Sequence, residues 1–153
     1  MDSPLDPDTI IAILGMAAHP EGGHYAETWR AAAAADGRAT GTGIYFLLRA
    51  GERSEWHRVD AAEMWHFYAG APLELSIAPG DGHTAATRHR LGIDLAAGER
   101  PQIVVPVGDW QAARTLGDWT LVGATVSPGF RFEGFELATP GWEPGQGLGR
   151  GGS

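Results

Sequence analysis

Two side chains that can accept and donate protons, His57 and Glu63, lie six residues apart in the stretch from Gly51 to Gly70. Residues of β-branched and aromatic types surround both, and two short strands are predicted, Glu55 to Val59 and Glu63 to Ala69. A histidine has a reference pKa of about 6.5, and a nearby carboxylate orients the imidazole and raises that pKa. The pair therefore predicts either an acid–base site or two ligands of a metal ion.

The neighbours of Glu63 are predicted from the alternation of side chains along a strand. Glu63 shares one face with Trp65 and Phe67, whereas His66 and Tyr68 face the other way. If Trp65 and Phe67 line the interior of a barrel, Glu63 is buried among aromatic rings. Burial raises the pKa of a carboxyl group unless a cation, a metal or a donor compensates. Trp65 and Phe67 are therefore candidate substrate-binding residues.

The first strand and a later turn supply further candidates. His57 shares a face with Glu55 and Val59 if the alternation is regular. Gln111 follows the turn Pro106–Gly108, and we expect it to join His57 in the interior. There it would bind substrate or act as a third metal ligand, and the alternative is an amide that only caps the turn.

Two more candidates for substrate binding lie on the predicted strand from Thr42 to Arg49. Tyr45 is one, although alternation leaves open whether Tyr45, or instead Ile44 and Phe46, faces inward. Arg49 is the other, because a guanidinium can hold a carboxylate or phosphate of a ligand. A structural alternative for Arg49 is an ion pair with a buried glutamate.

Short strands with turns between them dominate the predicted elements. A helix begins at Pro7 with Asp6 as its cap and ends at Gly15. The glycine-rich segment Glu21 to His24 is either a loop over the mouth of a barrel or a turn that glycine permits, and we favour the turn. Eight to ten strands at regular spacing predict an all-β sandwich or barrel. Besides those above, they are Tyr25–Arg30, Leu73–Ile77, Thr84–Leu91, Gln102–Val105, Gln111–Thr115, Trp119–Val126 and Phe130–Leu137.

Composition excludes several classes of function. The formal net charge is −8 and no basic run occurs, so nucleic-acid binding is not expected. The chain has no cysteine and no lysine, which excludes thiolate nucleophiles and Schiff-base chemistry. Neither a signal peptide nor an apolar run of about 20 residues is present, so we expect a cytoplasmic protein that does not enter the membrane. The length of 153 residues suits one domain, residues 1–140, followed by a flexible glycine-rich tail, residues 141–153.

The spacing of Gly51, His57, Val59, Glu63 and Gly70 resembles the first conserved motif of the cupin superfamily. In that motif a second histidine stands where this chain has Val59. The resemblance implies a double-stranded β-helix, or jelly roll, with His57 and Glu63 inside the barrel.

The stretch from Pro106 to Gln111 resembles the second cupin motif, in which a histidine occupies the position of Gln111. Arg100 and Thr115 stand where that motif has a glycine and an asparagine. The segments HPEGGHYAETWR, TGIYFLL and LVGATVSPGFRFEGFEL are similar to a little-characterised branch of small single-domain cupins. That branch implies a homodimer, and cupin-like epimerases of nucleotide-linked deoxysugars are more distant relatives.

Three functions remain open at this point. The first is an isomerase- or epimerase-like enzyme on a small polar, sugar- or acid-like substrate, with His57 and Glu63 in acid–base roles. The second is a cupin enzyme of oxygenase or lyase type that uses a divalent metal, Fe, Mn, Ni or Zn, on His57, Glu63 and Gln111. The third is a small-molecule-binding module that does no chemistry. The many aromatic residues suit a planar or sugar-like ligand.

Overall fold

A computed structural model gives the structure of the chain and describes residues 5–145. Its helix, α1, spans Pro7–Leu14, as predicted. The Asp6 carboxylate accepts a hydrogen bond from the backbone N–H of Thr9 at 2.8 Å, and Gly15 ends the helix in the left-handed conformation with φ of 63°. The helix packs its Ile10 side chain against the outer face of a β-sheet.

Eleven strands form two antiparallel sheets in the described residues. The strands are β1 (Ala17–Ala18), β2 (His24–Arg30), β3 (Thr42–Arg49), β4 (Ser54–Val59), β5 (Ala62–Gly70), β6 (Leu73–Ala78), β7 (Thr87–Leu91), β8 (Gln102–Val105), β9 (Trp110–Thr115), β10 (Trp119–Ser127) and β11 (Phe135–Leu137). The larger sheet has the order β1-β2-β3-β10-β5-β8, and the smaller has the order β11-β4-β9-β6-β7. This double-sheet arrangement confirms the predicted all-β jelly roll with a short N-terminal helix.

The inner faces of the two sheets pack at one end and leave room for a cavity at the other. Alternate residues of β3 show both regions, because Leu48 lies in the core whereas Thr42 and Ile44 line the cavity. Phe46 belongs to both, since it lines the cavity and packs edge-on against Trp65 with ring centroids 5.9 Å apart. The apolar core therefore forms the floor of the cavity.

The predicted strand from Phe130 to Leu137 is wrong in its first half. Residues Phe132–Gly134 form a 3₁₀ turn, and only Phe135–Leu137 pair with β4. The backbone carbonyl of Gly134 accepts a hydrogen bond from the N–H of Asp60 at 3.0 Å. Phe130 packs against Phe132 with ring centroids 4.9 Å apart, and its backbone bonds the side chains of Arg30 and Thr42. These contacts, rather than a strand ladder, hold this segment beside the cavity.

Residues 141–145, the first part of the predicted tail, lie against the outside of the smaller sheet. Trp142 packs against Trp110 at 4.6 Å and against Trp56 at 6.2 Å between ring centroids. Residues 141–145 therefore contact the domain, while residues 146–153 lie outside the described residues. Within residues 5–145, no helix has the length and apolar character that crossing a membrane requires.

Candidate active site

A cavity of about 200 Å³ opens between the two sheets at the end opposite the core. It takes side chains from four strands of the larger sheet, from β4 of the smaller sheet and from the segments on either side of the mouth. The lining residues are His19, Glu21, Tyr25, Glu27, Arg30, Thr42, Ile44, Phe46, His57, Val59, Glu63, Trp65, Ala124, Val126, Phe130, Arg131 and Phe132. Predicted site residues His57, Glu63 and Trp65 are among them.

His57 is buried on β4, and a hydrogen bond to the backbone fixes its tautomer. Its Nδ1 lies 2.7 Å from the backbone oxygen of Glu55, which can only accept, so Nδ1 carries the proton and donates it. Nε2 of the neutral ring therefore presents a lone pair to the cavity. Burial lowers the pKa of His57, against the opposing effects of the Glu63 charge and the hydrogen bond to Glu55.

The predicted alternation along β4 is wrong around His57. The ladder between β4 and β9 shifts register between Ser54 and His57, where a bulge interrupts the pairing. As a result Glu55 is exposed, although regular alternation places it beside His57. Trp56 instead packs on the outer face of the smaller sheet.

Glu63 is held by a hydrogen-bonded chain that runs through Gln111. The indole Nε1 of Trp65 donates to Oε1 of Gln111 at 2.8 Å, and Nε2 of Gln111 donates to Oε1 of Glu63 at 3.0 Å. Because an indole N–H can only donate, it sets the orientation of the amide and directs the NH₂ group at the carboxyl. Gln111 does not itself line the cavity, so its role is to position Glu63.

Two residues that the sequence did not single out as site residues, His19 and Glu21, complete the buried polar cluster. Oε1 of Glu21 lies 3.4 Å from Nε2 of His57 and 3.5 Å from Nδ1 of His19. The hydroxyl of Ser54 donates a short hydrogen bond to the other carboxyl oxygen of Glu21. The Nδ1 atom of His19 accepts from the backbone N–H of Glu21 at 3.0 Å, so this bond occupies its lone pair and the proton of the neutral ring is on Nε2.

The segment from His19 to Gly23 is a turn, as predicted, and it also delivers Glu21 to the cavity. The backbone oxygen of Glu21 accepts from the N–H of Glu55 at 2.8 Å, which attaches the turn to β4. Gly22 has φ of 112°, and a Cβ at this position would overlap the carbonyl oxygen of Arg53. The signal in the sequence is thus a glutamate held between a His-Pro pair and two glycines.

Burial controls the protonation of this cluster. It raises the pKa of Glu21 to about 8, despite the opposing Ser54 hydrogen bond, and it raises the pKa of Glu63 to about 7, with a further rise from the Glu21 charge. Burial lowers the pKa of His19 to about 4, and a positive charge on His57 contributes to this decrease. Near neutral pH the cavity therefore contains neutral imidazoles together with a carboxylic acid, the combination that proton transfer requires.

Three predicted substrate-binding residues lie elsewhere. Tyr45 points to the outer face of the larger sheet, next to the cluster that contains Met16 and Leu47, because Ile44 and Phe46 take the inward positions of β3. Arg49 pairs with Glu52 at 2.9 Å and with Asp8 at 3.1 Å, away from the cavity. Phe67 shares the inner face with Trp65 as expected, but it packs against the core and does not line the cavity.

The protein family described as Cupin superfamily (DUF985) has a sequence model that matches residues 8–138 of this chain. The chain belongs to this cupin family. No curated protein matches it.

Solved structures of other cupins are similar to this one. Protein SO0799 from Shewanella oneidensis is 43% identical, with a TM-score of 0.84 over 89% of this chain and 86% of that chain. A hypothetical protein from Leishmania major is 30% identical, with a TM-score of 0.80 over 89% of both chains. An oxalate decarboxylase from Bacillus subtilis is 14% identical, with a TM-score of 0.59 over 78% of this chain and 29% of that chain, a likeness of fold alone.

The cavity does not fit the metal centre that the cupin resemblance implies. Val59 presents an alkyl group where a second histidine is expected, and both ends of the Gln111 amide are engaged by Trp65 and Glu63. Within residues 5–145, no group of three or more His, Asp or Glu side chains is arranged to hold a metal ion. The three-ligand set predicted from His57, Glu63 and Gln111 therefore lacks its third member.

Proposed function

We propose that this cupin is an enzyme that moves a proton on a small organic substrate, in the manner of an isomerase or epimerase. The observation that carries the proposal is the 3.4 Å separation between the lone-pair nitrogen of His57 and the carboxyl Oε1 of Glu21 inside a buried cavity. A base and an acid thus lie within reach of one bound molecule.

In the proposed reaction, His57 removes a proton from carbon and Glu21 donates a proton to another atom of the same substrate. Nδ1 of His57 stays bonded to the Glu55 carbonyl, which keeps the ring oriented while Nε2 accepts the proton. The negative charge of Glu63 raises the pKa of His57 and so stabilises the imidazolium that forms. Gln111 holds that carboxylate in place.

The same contact also resets the site. After one turnover His57 carries an extra proton and Glu21 has lost one, and the two groups face each other at 3.4 Å. Transfer of a proton from His57 to Glu21 restores both groups, and the exchangeable carboxyl proton of Glu21 equilibrates with bulk water between turnovers. The aromatic walls formed by Phe46 and Trp65 exclude water and offer flat surfaces to a planar intermediate such as an enol.

Deuterium exchange measured by NMR tests the proposal. Small ketones, aldehydes and 2-oxo acids are incubated with the protein in D₂O, and loss of the signal from protons next to the carbonyl is followed over time. We expect protein-dependent exchange for at least one probe, with a rate that falls by about 10²–10⁴-fold in His57→Asn and in Glu21→Gln. His89→Asn is the matched control, since His89 is exposed on β7.

Probes that bind without exchange would overturn the enzymatic proposal and favour a module that only binds small molecules. Saturation-transfer NMR on the same samples reports binding separately from exchange. Exchange that persists in His57→Asn at the wild-type rate would show that the reaction occurs outside this cavity.

A further inference from the structure

The charged side chains at the mouth of the cavity are unequally neutralised. Arg30 and Glu27 both line the cavity, and they neutralise each other through contacts of 2.6 and 3.4 Å. The remaining Nη1 of Arg30 donates to the carbonyl oxygen of Phe130 at 3.2 Å. Arg30 is therefore committed to holding the Phe130 segment in place.

Arg131 is the second arginine at the mouth, and its ion-pair partner, Asp60, also binds Arg38. Asp60 accepts from Arg38 at 2.7 and 3.2 Å, whereas its contact with Arg131 is a single one at 3.4 Å. The Arg38 side chain is 9% exposed and that of Arg131 is 48% exposed. Because Arg38 neutralises Asp60 at closer range, Arg131 retains most of its positive charge and several free N–H donors.

The acidic side chains at the deep end of the cavity are already bonded within the protein. Glu21 is buried and accepts a hydrogen bond from Ser54. Glu63 is buried and accepts one from Gln111. The walls between the deep end and the mouth are apolar or aromatic and include Ile44, Phe46 and Val126. Among the residues that line the cavity, Arg131 is thus the cation that its neighbours neutralise least.

The volume bounds the ligand. A cavity of about 200 Å³ is somewhat larger than an engineered cavity of about 150 Å³ that holds benzene. The enclosed part of a ligand therefore has about eight non-hydrogen atoms, by proportion to that comparison. A whole nucleotide-linked sugar does not fit inside, and any larger group must extend past Arg131 into solvent.

We infer that the substrate is a compact organic monoanion whose carboxylate or phosphate group binds Arg131 and whose apolar, planar body lies against Phe46 and Trp65. This orientation places its reacting carbon at His57 and Glu21. The inference rests on the proposed function for the reacting end, but the selection for negative charge can be measured without turnover.

Two probes of equal size but different charge test the selection for an anion. They are phenylacetate, which is negatively charged, and its neutral amide, phenylacetamide. We expect calorimetry or NMR titration to show phenylacetate binding roughly five- to tenfold more tightly, which corresponds to about 1–1.4 kcal/mol. Arg131→Gln removes the difference by weakening phenylacetate alone, and Arg131→Lys retains part of it. Arg90→Gln, a change of an exposed arginine on β7 outside the cavity, leaves both affinities unchanged.

Equal affinity of the wild-type protein for the two probes, or a preference that survives in Arg131→Gln, overturns the inference. Failure of both probes to bind at millimolar concentration contradicts the apolar, compact body. A circular dichroism melt of each variant shows that it is folded. Deuterium exchange on phenylpyruvate reports the reaction separately, so charge selection without exchange would refute the proposed function while supporting the assigned anion subsite.

Discussion

Oε1 of Glu21 lies 3.4 Å from Nε2 of His57, and the hydrogen bonds of the surrounding backbone leave a lone pair on that nitrogen. Two facing acceptors repel each other unless a proton lies between them. The proton must come from Glu21, because burial of His57 disfavours its charged form and burial of Glu21 favours its acid form. The geometry and the protonation state of the pair thus support each other.

The first prediction concerns stability against pH. Glu21 titrates at an ordinary value of 4.5 when unfolded and at about 8 when folded, so the folded state binds more protons between these values and stability falls as pH rises. The lowered pKa of His19 acts in the opposite direction, but only between about 4 and 6.5. From pH 6.5 to about 8 the wild-type free energy of unfolding should therefore decrease, by roughly 1–2 kcal/mol.

Urea unfolding at a series of pH values measures this decrease. Glu21→Gln carries no titrating group at the position, so most of the decrease above pH 6.5 should disappear. Glu55→Gln is the control, because the Glu55 side chain is exposed on β4, the strand to which the turn of Glu21 is bonded. A wild-type stability that rises over this interval would show that Glu21 is ionised in the folded protein.

The second prediction concerns Gln111, which satisfies two buried groups at once. In Gln111→Leu the indole N–H of Trp65 and the carboxyl of Glu63 both lose their partners. Each unsatisfied buried group costs about 1–3 kcal/mol, so we expect a destabilisation of about 2–4 kcal/mol in urea unfolding. The exposed Gln102→Leu on β8 should change stability by less than about 0.5 kcal/mol.

A double-mutant cycle that combines Gln111→Leu with Trp65→Phe tests the cause of that loss of stability. Removal of the indole N–H relieves part of the penalty, so the double variant should be more stable than the sum of the single changes predicts. Strict additivity would mean that the Trp65–Gln111 hydrogen bond does not contribute to stability.

The sequence predicts the site well where the strands are regular. Along β5 alternation places Glu63 and Trp65 inside and His66 and Tyr68 outside, and the structure agrees, with Tyr68 51% exposed. On β4 it fails, because the bulge before His57 inserts a residue that alternation cannot count. Alternation also does not show which face of β3 points inward, because aromatic and aliphatic residues occupy both faces. Only the packing of α1 against one face distinguishes them.

Glu21 could not be assigned from its neighbours in the chain. Its burial depends on contacts with Ser54 and Glu55, which come from a strand that is distant in sequence. A Glu-Gly-Gly turn by itself is typical of an exposed loop. Only the packing of the turn against β4 makes it part of the site, and this packing depends on the absence of a side chain at Gly22.

The third prediction tests that packing. Gly22→Ala adds a Cβ that overlaps the Arg53 carbonyl and also strains a backbone with φ of 112°. We expect the turn to separate from β4, with loss of the exchange activity and a destabilisation of about 2–4 kcal/mol in urea unfolding. Gly51→Ala is the matched control, because Gly51 has φ of 86° but open space around it, so only the strain of about 1–2 kcal/mol remains. Equal costs for the two variants would show that contact with Arg53 is unimportant.

The last prediction concerns metal, which the cupin resemblance implies and the donor set of this cavity does not fit. Incubation with Fe²⁺, Mn²⁺, Ni²⁺ or Zn²⁺ followed by desalting should leave less than one equivalent of metal in elemental analysis. The physical reason is that the Gln111 oxygen accepts a hydrogen bond from Trp65 and its NH₂ group donates one to Glu63. Neither end of the amide is therefore available for a cation. Val59→His supplies the missing second imidazole beside His57, and this variant should retain more metal than the wild type. One equivalent of metal in the wild-type protein that is lost in His57→Ala would instead establish a metal centre at this site, and the acid–base assignment of His57 would have to be withdrawn.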